Sequence, residues 1–352
     1  MTTSKITGRT RRAVRWIARF AVAAIAIVAG WIAGNQVRAA FTERSQEQVI
    51  APRTGRWLDA GDVRMFVQEW GPADGPVLVM SHGTGAWSGT WFGTPAFLAA
   101  HGWHVAAVDL PPFGFTQVKD AAARASLDYR RAAQGRRLSL AIAALSKDPV
   151  VLLGHSFGSG PALEAALREP ARVRELVLVD PALGLGPNGE MPPCRPTQAG
   201  WPMSSRATRT ALVKATATVP LLTGTLLKGF VHRKEVVTPD KLAEYRKPFA
   251  RADFSAQLGD WAASFASRDC EGALSVDANA VAAWSRTSRL ALVWGAEDTI
   301  TPPAQGVALG RLTGVAPAFI AGVGHIPHIE DPARFHEALL AALGAASPTS
   351  PR

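Results

Sequence analysis

The stretch VVLLGHSFGSGPALEAALR, residues 150–168, decides the fold. Its first four residues form a continuous apolar run that is typical of a buried strand, and residues 159–168 have the character of a helix. Between them, Gly154-His155-Ser156-Phe157-Gly158 places a serine on a turn. Glycine at 154 and 158 suits a sharp turn, because close packing of strand against helix leaves no room for β-carbons there. The pattern predicts a nucleophile elbow with Ser156 as its nucleophile.

A nucleophilic serine needs a base, and eight histidines compete for that role. His325 is the strongest candidate, because it follows Gly322-Val323-Gly324 after a short apolar strand and precedes the last helix. A loop in that position carries an imidazole back over the carboxyl edge of the sheet. The other nearby histidines are expected at the start of the final helix, on its face, or beside turns: His328, His336, His82 and His155.

The base needs a carboxylate that fixes its tautomer and stabilises the imidazolium. Glu297 and Asp298 both lie just beyond the apolar strand at residues 290–294, and the residues alone do not choose between them. Asp180, at the end of an earlier strand, is a weaker alternative. With either acid after residue 294, the chain order is serine, acid, histidine, as the nucleophile-elbow fold uses it.

Two backbone N–H groups are expected to bind the oxyanion that forms during acyl transfer. One belongs to Phe157, immediately after the nucleophile. The other is expected from Thr84, in the earlier loop of residues 81–85. His82 in that loop is predicted to brace the backbone and to take no part in catalysis.

Outside this stretch, apolar runs of strand length alternate with helical stretches, which predicts a mostly parallel sheet with helices on both faces. The rhythm stops between residues 182 and 286, where a Pro-rich loop and several apparent helices predict an inserted helical cap. The predicted cap helices span residues 206–227, 239–245, 254–267 and 277–284. The predicted division is an N-terminal segment at 1–45, an α/β core at 50–181 and 287–345, and a cap at 182–286.

Taken together, the motifs make the chain resemble the α/β-hydrolase superfamily over nearly all of residues 56–343. The matching pieces, in chain order, are His82-Gly83, Asp109-Leu110-Pro111 with Phe113-Gly114-Phe115, the GHSFG elbow, Trp294-Gly295 leading to Asp298, and Gly324-His325 with Glu330 and Pro332. The resemblance places the orienting acid at Asp298 rather than Glu297. Epoxide hydrolases and haloalkane dehalogenases of this fold use an aspartate at the elbow, so Ser156 argues against both.

The resemblance implies acyl transfer to Ser156 and then to water, without a cofactor. A carboxylic ester with an apolar acyl or aryl group is the expected small-molecule substrate. An acyltransferase or a hydrolase of carbon–carbon or amide bonds would use the same triad, and a non-catalytic binding protein on this fold is a further alternative. Fold does not fix the substrate, since members differ in their caps.

The formal net charge of +10 is concentrated at the N-terminus, because residues 1–40 contain seven basic residues and no acidic one. The remaining charge is nearly balanced, and no nucleic-acid-binding motif accompanies it, so a nucleic-acid partner is not expected. Six of these basic residues precede fifteen uncharged residues at 20–34, which is typical of an export or anchor segment. We expect residues 14–36 to anchor the chain in the cytoplasmic membrane with the catalytic domain outside the cytoplasm. Secretion after cleavage at Ala39 is the alternative.

The chain has two cysteines, Cys194 and Cys270, and no pair of histidines at helical metal-ligand spacing on a convincing helix, so no metal site is predicted. Both cysteines fall in the predicted cap. If the domain is exported, it meets an oxidising environment in which a disulfide between them would persist. Two unpaired thiols remain the alternative, because sequence cannot bring their α-carbons within the distance of about 7 Å that a bridge requires.

Overall fold

The fold is built on one twisted sheet, seen here in a computed structural model that describes residues 8–44, 51–120, 122–186, 189–191, 194, 200–267 and 270–344. Within these residues the strands are β1 (Gly55–Ala60), β2 (Val63–Trp70), β3 (Val77–Ser81), β4 (His104–Val108), β5 (Gln117–Val118), β6 (Val150–His155), β7 (Val173–Val179), β8 (Arg289–Gly295) and β9 (Ala318–Ile320). Their order is β1-β2-β4-β3-β6-β7-β8-β9, with β5 paired to β2. The strands from β4 to β9 in this order run parallel, whereas β2 is antiparallel to its neighbours.

Helices cover the sheet and fill the insertion between β7 and β8. They are α1 (Gly8–Thr42), α2 (Thr94–Ala100), α3 (Arg131–Leu145), α4 (Ser159–Arg168), α5 (Arg206–Ala215), α6 (Pro220–Phe230), α7 (Pro239–Arg246), α8 (Phe254–Ala266), α9 (Ala278–Ser285), α10 (Pro303–Thr313), α11 (Pro327–Glu330) and α12 (Pro332–Leu343). This arrangement confirms the predicted α/β-hydrolase fold.

Strand β6 lies at the centre of the sheet and is buried along its whole length. Val150 and Leu152 belong to one hydrophobic cluster, and Val151 and Leu153 belong to another. Alternate side chains of a strand point to opposite faces, so the two clusters are the cores on the two sides of the sheet. A strand that is buried on both faces consists of a continuous run of apolar residues. This is why residues 150–153 predict a central strand of the sheet.

The structure corrects the predicted elements in two places. Strand β1, which the sequence did not predict, pairs with β2 in a tight antiparallel hairpin. The helix predicted over residues 206–227 is two helices, α5 and α6, which meet at 86°. Pro220 is the first residue of α6, where proline is favoured, but it cannot continue α5 because it lacks a backbone N–H.

Helices α5 to α9 form a segment, here called the helical insert, that is fastened to the core by buried polar contacts. Arg251 is 2% exposed and donates from its guanidinium to the carbonyls of Pro112, Gly114 and Thr116, at 2.7–2.9 Å. Cys194 and Cys270 form a disulfide with their α-carbons 5.3 Å apart, which confirms the predicted pairing. Closing a loop of this length stabilises the folded state by on the order of 4 kcal/mol in the chain-entropy account.

Helix α1 packs on the helical insert at its carboxyl end and is exposed from Arg12 to Gly30. Trp31 Nε1 donates to the carbonyl of Ala215 at 2.8 Å, and Arg38 donates to Lys214 O and Thr218 Oγ1 at 3.0 Å. Residues 12–42 are long and apolar enough to cross a membrane, a property that a signal sequence shares. Parts of the predicted segments fall outside the described residues: 1–7, 45–50, most of the Pro-rich loop at 187–199, and the tail after 344.

Candidate functional site

Ser156 lies at the tip of the turn between β6 and α4, with its backbone in the left-handed region at φ 51°. A non-glycine residue rarely adopts this conformation, and at a functional site the strain is held in place by the surrounding packing. A β-carbon at Gly158 would lie 2.4 Å from the carbonyl oxygen of His82, and one at Gly154 would lie 2.7 Å from Cα of Ser159. Only glycine fits at both positions, so the backbone has the sharp turn between strand and helix that the sequence predicts.

His325 reaches Ser156 from the loop between β9 and α11. Its Nε2 lies 2.8 Å from Ser156 Oγ, and both side chains are buried. Glu330 fixes this loop, because its Oε1 accepts from the backbone N–H groups of Gly324 and Ile326, on either side of the histidine. Its Oε2 accepts from His232 and Arg233 of the helical insert, at 2.8 and 3.0 Å. The sequence offered Glu330 only as part of a family motif, without this role.

Asp298 completes the arrangement, with Oδ2 2.8 Å from His325 Nδ1. Its other oxygen, Oδ1, accepts from the backbone N–H groups of Ile300 and Thr301, at 2.7 and 3.0 Å. Thr301 Oγ1 also donates to Oδ2 at 2.6 Å. Burial raises the pKa of Asp298, but the contact with His325 and the bonds from Thr301 outweigh it, so the pKa lies below its usual value. The carboxylate is therefore charged and aimed at the imidazole at neutral pH.

The competing residues do not reach the nucleophile. Glu297, directly before Asp298, is exposed at the surface. His328 is buried against the Trp91 ring, with 4.6 Å between ring centroids. His336 lies on α12, where it bonds Thr94 and stacks on Phe97. The geometry thus selects the residues that the resemblance favoured.

His82 and His155 support the backbone around Ser156. His82 Nδ1 donates to Gly83 O at 2.8 Å, while its Nε2 accepts from the Leu110 N–H at 3.0 Å. His155 Nε2 donates to the carbonyl of His325 at 2.8 Å. Burial lowers the pKa of His82 to about 4 and that of His155 to about 3, so both rings are neutral at pH 7. The predicted bracing role of His82 is confirmed.

The predicted oxyanion loop lies directly beside the nucleophile. A β-carbon at Gly83 would be 3.1 Å from Ser156 Cβ, which places the next residue, Thr84, at the mouth of the elbow. Thr84 is exposed, whereas Phe157 on the other side of the serine is buried. The binding of an oxyanion by their N–H groups stays a prediction.

Asp180, at the end of β7, is a second carboxyl group within reach of the same site. It is fully buried, and its Oδ1 accepts from the backbone N–H of Gly295 at 2.8 Å, while Oδ2 has no partner. Donor atoms of Asp180, Asp298 and His325 lie within 4.8 Å of one another. Burial and the negative charge of Asp298 together raise the pKa of Asp180 well above its usual value. Asp180 therefore keeps its proton to a higher pH than an ordinary aspartic acid does.

This pair predicts a pH-dependent effect of Asp180→Asn on stability. An unfolded aspartic acid titrates near pH 3.9. Since the pKa of Asp180 is raised in the folded state, the folded protein keeps a proton above that pH that the unfolded chain has lost, so stability falls as pH rises through this window. Asparagine has nearly the same shape, carries no proton to lose, and tolerates the φ of 43° found here.

We therefore expect Asp180→Asn to raise Tm relative to wild type by more at pH 7 than at pH 4, by roughly 2–4 °C for each kcal/mol gained. Thermal unfolding followed by circular dichroism at the two pH values measures this difference. Asp74→Asn, at an exposed turn, is the control and should show no pH-dependent change. An equal or smaller gain at pH 7 would contradict a protonated Asp180.

One atom each of Asp180, Asp298 and His325 lies close enough to the others for all three to contact a single metal ion. His325 Nδ1, however, donates its proton to Asp298 Oδ2 and has no lone pair to offer. The contacts therefore favour the orientation of a histidine base over the binding of a metal.

A cavity of about 440 Å³ adjoins the elbow between the core and the helical insert. Phe157 lies in its wall, together with aromatic side chains of α8, Trp261 and Phe265. Cys270 also lines it, so the disulfide is part of its boundary. The site combines a hydrogen-bonded serine, histidine and aspartate with an adjoining space of ligand size.

Known proteins share this fold and parts of this sequence. A sequence profile of the alpha/beta hydrolase fold family matches residues 76–332. The chain is 36% identical over 122 residues to a pimeloyl-[acyl-carrier protein] methyl ester esterase of Nitrosospira multiformis, an alignment that covers 34% of this chain and 42% of the esterase. It is 35% identical over 127 residues to a 2-hydroxy-6-oxo-2,4-heptadienoate hydrolase of Pseudomonas putida, covering 36% of this chain and 44% of that hydrolase. The chain thus spans less than half the length of these two relatives.

The structure of a membrane phospholipase A, described as a bacterial virulence factor, superposes with a TM-score of 0.62. The superposition covers 95% of this chain and 98% of the phospholipase, at 20% sequence identity. At that identity the likeness shows the fold alone.

Proposed function

Because the chain belongs to the alpha/beta hydrolase fold family, we propose that it is a serine hydrolase that cleaves carboxylic esters through an acyl-enzyme on Ser156. One observation carries the proposal: the continuous hydrogen-bonded chain from Ser156 Oγ to His325 Nε2 and from His325 Nδ1 to Asp298 Oδ2, with 2.8 Å at each step. General-base activation of a serine requires such a chain of hydrogen bonds, in which the histidine takes the proton and the aspartate orients the histidine.

In the proposed reaction, His325 takes the proton of Ser156 as Oγ attacks the ester carbonyl. Asp298 holds the imidazole in the correct tautomer and stabilises its positive charge. The N–H groups of Phe157 and Thr84 would bind the oxyanion, assisted by the positive end of α4. His325 then returns the proton to the leaving alcohol, and water, activated by the same base, releases the acid from Ser156.

We assign the helical insert the role of a cap that encloses the substrate. Trp261 and Phe265 of α8 face the cavity beside the elbow, and Phe230 packs 5.7 Å from the His325 ring, centroid to centroid. These aromatic walls favour an ester with an apolar acyl or aryl group. We keep the boundaries expected from sequence, 182–286 for the cap and 50–181 with 287–345 for the core, as part of this proposal; strands β7 and β8 on either side of the insert support them.

We further propose that α1 is an uncleaved membrane anchor and that the catalytic domain lies outside the cytoplasm. Cleavage after Ala39 would remove Trp31 and Arg38, whose side chains bond to the helical insert, and Ala39, which is 1% exposed. The loss of these contacts argues for retention of the segment. Full-length protein should stay with membranes after a high-salt wash, and a soluble protein beginning at Ala40 would refute the anchor.

The experiment that tests the activity uses the full chain in detergent and a panel of 4-nitrophenyl esters of increasing acyl length. We expect turnover that is lost with fluorophosphonate treatment, with kcat/KM highest for acyl groups that fill the cavity. Absence of turnover on every ester would refute the ester-hydrolase proposal.

A carbon–carbon hydrolase is the second candidate, supported by the similarity to the 2-hydroxy-6-oxo-2,4-heptadienoate hydrolase. Measuring kcat/KM for 2-hydroxy-6-oxo-2,4-heptadienoate and for the esters separates the two activities. Transfer to an added alcohol or amine, seen by product analysis, would point instead to an acyltransferase.

A further inference from the structure

The cavity beside the elbow is mostly apolar but contains one unusual charge. Its lining includes Phe157, Leu183, Met191, Trp261 and Phe265. Ala182, which also lines it, donates its N–H to the carbonyl of Ser156 at 3.0 Å, so the cavity wall adjoins the backbone of the elbow. Arg131, the first residue of α3, lies in the same wall.

The Arg131 guanidinium is poorly compensated. Its Nη2 donates to the carbonyl of Leu183 at 3.3 Å, while its Nη1 is buried and has no hydrogen-bond partner. Glu164 attracts the guanidinium electrostatically, but its oxygens accept from Arg168 and from the backbone N–H groups of Leu274 and Ser275, and no ion pair with Arg131 is found among the described residues. Burial lowers the pKa of Arg131, yet arginine stays charged in proteins, so the cost of desolvation remains. Arg131 as a whole is only half-buried, but its buried Nη1 has no partner, so this nitrogen is placed to bind an anionic ligand.

Arg131 is also held close to the nucleophile. A β-carbon at Gly160 would lie 2.8 Å from Arg131 Nε, so the side chain packs against the first turn of α4. Gly160 is four residues after Ser156, which places the guanidinium roughly one helical turn away. The positive end of α4 adds to the attraction for an anion.

The remaining charges around the cavity restrict the ligand to one negative charge. Arg130 is already paired with Asp128 and Glu271, at 3.0 and 3.3 Å. Glu164, whose negative charge already acts on Arg131, would repel a second negative charge on the ligand. One guanidinium with Glu164 nearby therefore matches a singly charged carboxylate better than a doubly charged phosphate.

We infer that the cavity binds an acyl chain that ends in a carboxylate, with Arg131 as the residue that selects it. The favoured substrates are then half-esters of dicarboxylic acids, in which Ser156 attacks the ester end and Arg131 binds the acid end. The inference rests on the proposed ester hydrolysis and names its substrate class.

The test uses mono-4-nitrophenyl esters of adipate, suberate and sebacate, which end in a free carboxylate and are called the acid substrates. Each is compared with the 4-nitrophenyl ester that ends in a carboxamide instead, called the amide substrate, which has the same shape and no charge. For the best-fitting chain length, we expect wild type to have a kcat/KM about 10-fold or more higher for the acid substrate than for the amide substrate. The reason is that hydrogen bonds to charged groups are stronger than those to neutral groups. Arg131→Gln should remove this preference and leave kcat/KM for the amide substrate within about 3-fold of the wild-type value. Arg131→Lys, which keeps the charge but loses the forked geometry, should retain part of it.

Arg136→Gln is the matched control, because Arg136 lies on the same helix with an exposed side chain and should keep the full preference. The inference would be overturned if wild type cleaved the amide substrates as fast as the acid substrates. It would also be overturned if Arg131→Gln lost activity equally on both.

A second arm measures binding without turnover. The unreacted dicarboxylate of the best-fitting length should raise the Tm of Ser156→Ala and not that of Ser156→Ala/Arg131→Gln. If no ester is hydrolysed at all, the proposed function fails and this arm alone decides the subsite: an Arg131-dependent shift supports it, and no shift refutes it.

Discussion

Ser156→Ala should lower ester hydrolysis by on the order of 10⁴- to 10⁶-fold and abolish labelling by a fluorophosphonate probe. Among the described residues, Ser156 Oγ is the only side-chain oxygen that bonds His325 Nε2, so no other group is placed to take over the attack. Hydrolysis is measured with the best 4-nitrophenyl ester of the panel, and labelling is measured by mass spectrometry of the intact protein.

Ser126→Ala is the control, because Ser126 lies in an exposed turn and bonds only to its own loop. This variant should label and hydrolyse like wild type. Full activity in Ser156→Ala with an unchanged Tm would contradict the assignment of the nucleophile, whereas loss of activity in His328→Ala but not in His325→Ala would contradict that of the base.

Asp298→Asn should lower kcat by about 10⁴-fold while leaving the fold intact. The structure supplies the reason. Asp298 Oδ1 accepts two backbone N–H groups, so an asparagine would place its oxygen there and direct its NH₂ group at His325 Nδ1. His325 would then accept at Nδ1 and carry its proton on Nε2, the nitrogen that must take the proton from Ser156.

Glu297→Gln is the matched control, because it removes the neighbouring exposed carboxylate with the same change of functional group. Its kcat should stay within about 3-fold of wild type. If Glu297→Gln or Asp180→Asn were the inactive variant instead, Asp298 would not be the orienting acid. Single-turnover kinetics separate an effect on acylation from one on deacylation.

Much of this site could be predicted from sequence because local backbone demands are written in local residues. Gly154 and Gly158 are needed where a β-carbon would collide with the packed turn, and the apolar run before them is a strand buried on both faces. The order of the three site residues along the chain then follows from where parallel strands end. The choice of Asp298 over Glu297 required the family resemblance, since burial of one and exposure of the other is a tertiary property.

The contacts that the sequence did not predict join residues far apart in the chain. Glu330 bonds to backbone on both sides of His325 and also to the loop between α6 and α7, and nothing in its sequence neighbours indicates those partners. Arg251 binds carbonyls more than a hundred residues away. The break between α5 and α6 had a local sign in Pro220, but the angle between the helices depends on what each packs against.

Helix α1 has a consequence for the range over which the enzyme acts. It runs unbroken to Thr42, and two residues later Arg44 exchanges backbone hydrogen bonds with Ala250 and Ala252, at 2.6 and 2.7 Å. A flexible tether of n residues would let a domain wander over about 5–6 Å × √n, but here no such tether separates helix from domain. In the proposed orientation the cavity mouth is thus held at one height above the bilayer. Distance from the membrane, in addition to chemical fit, then selects which esters are cleaved.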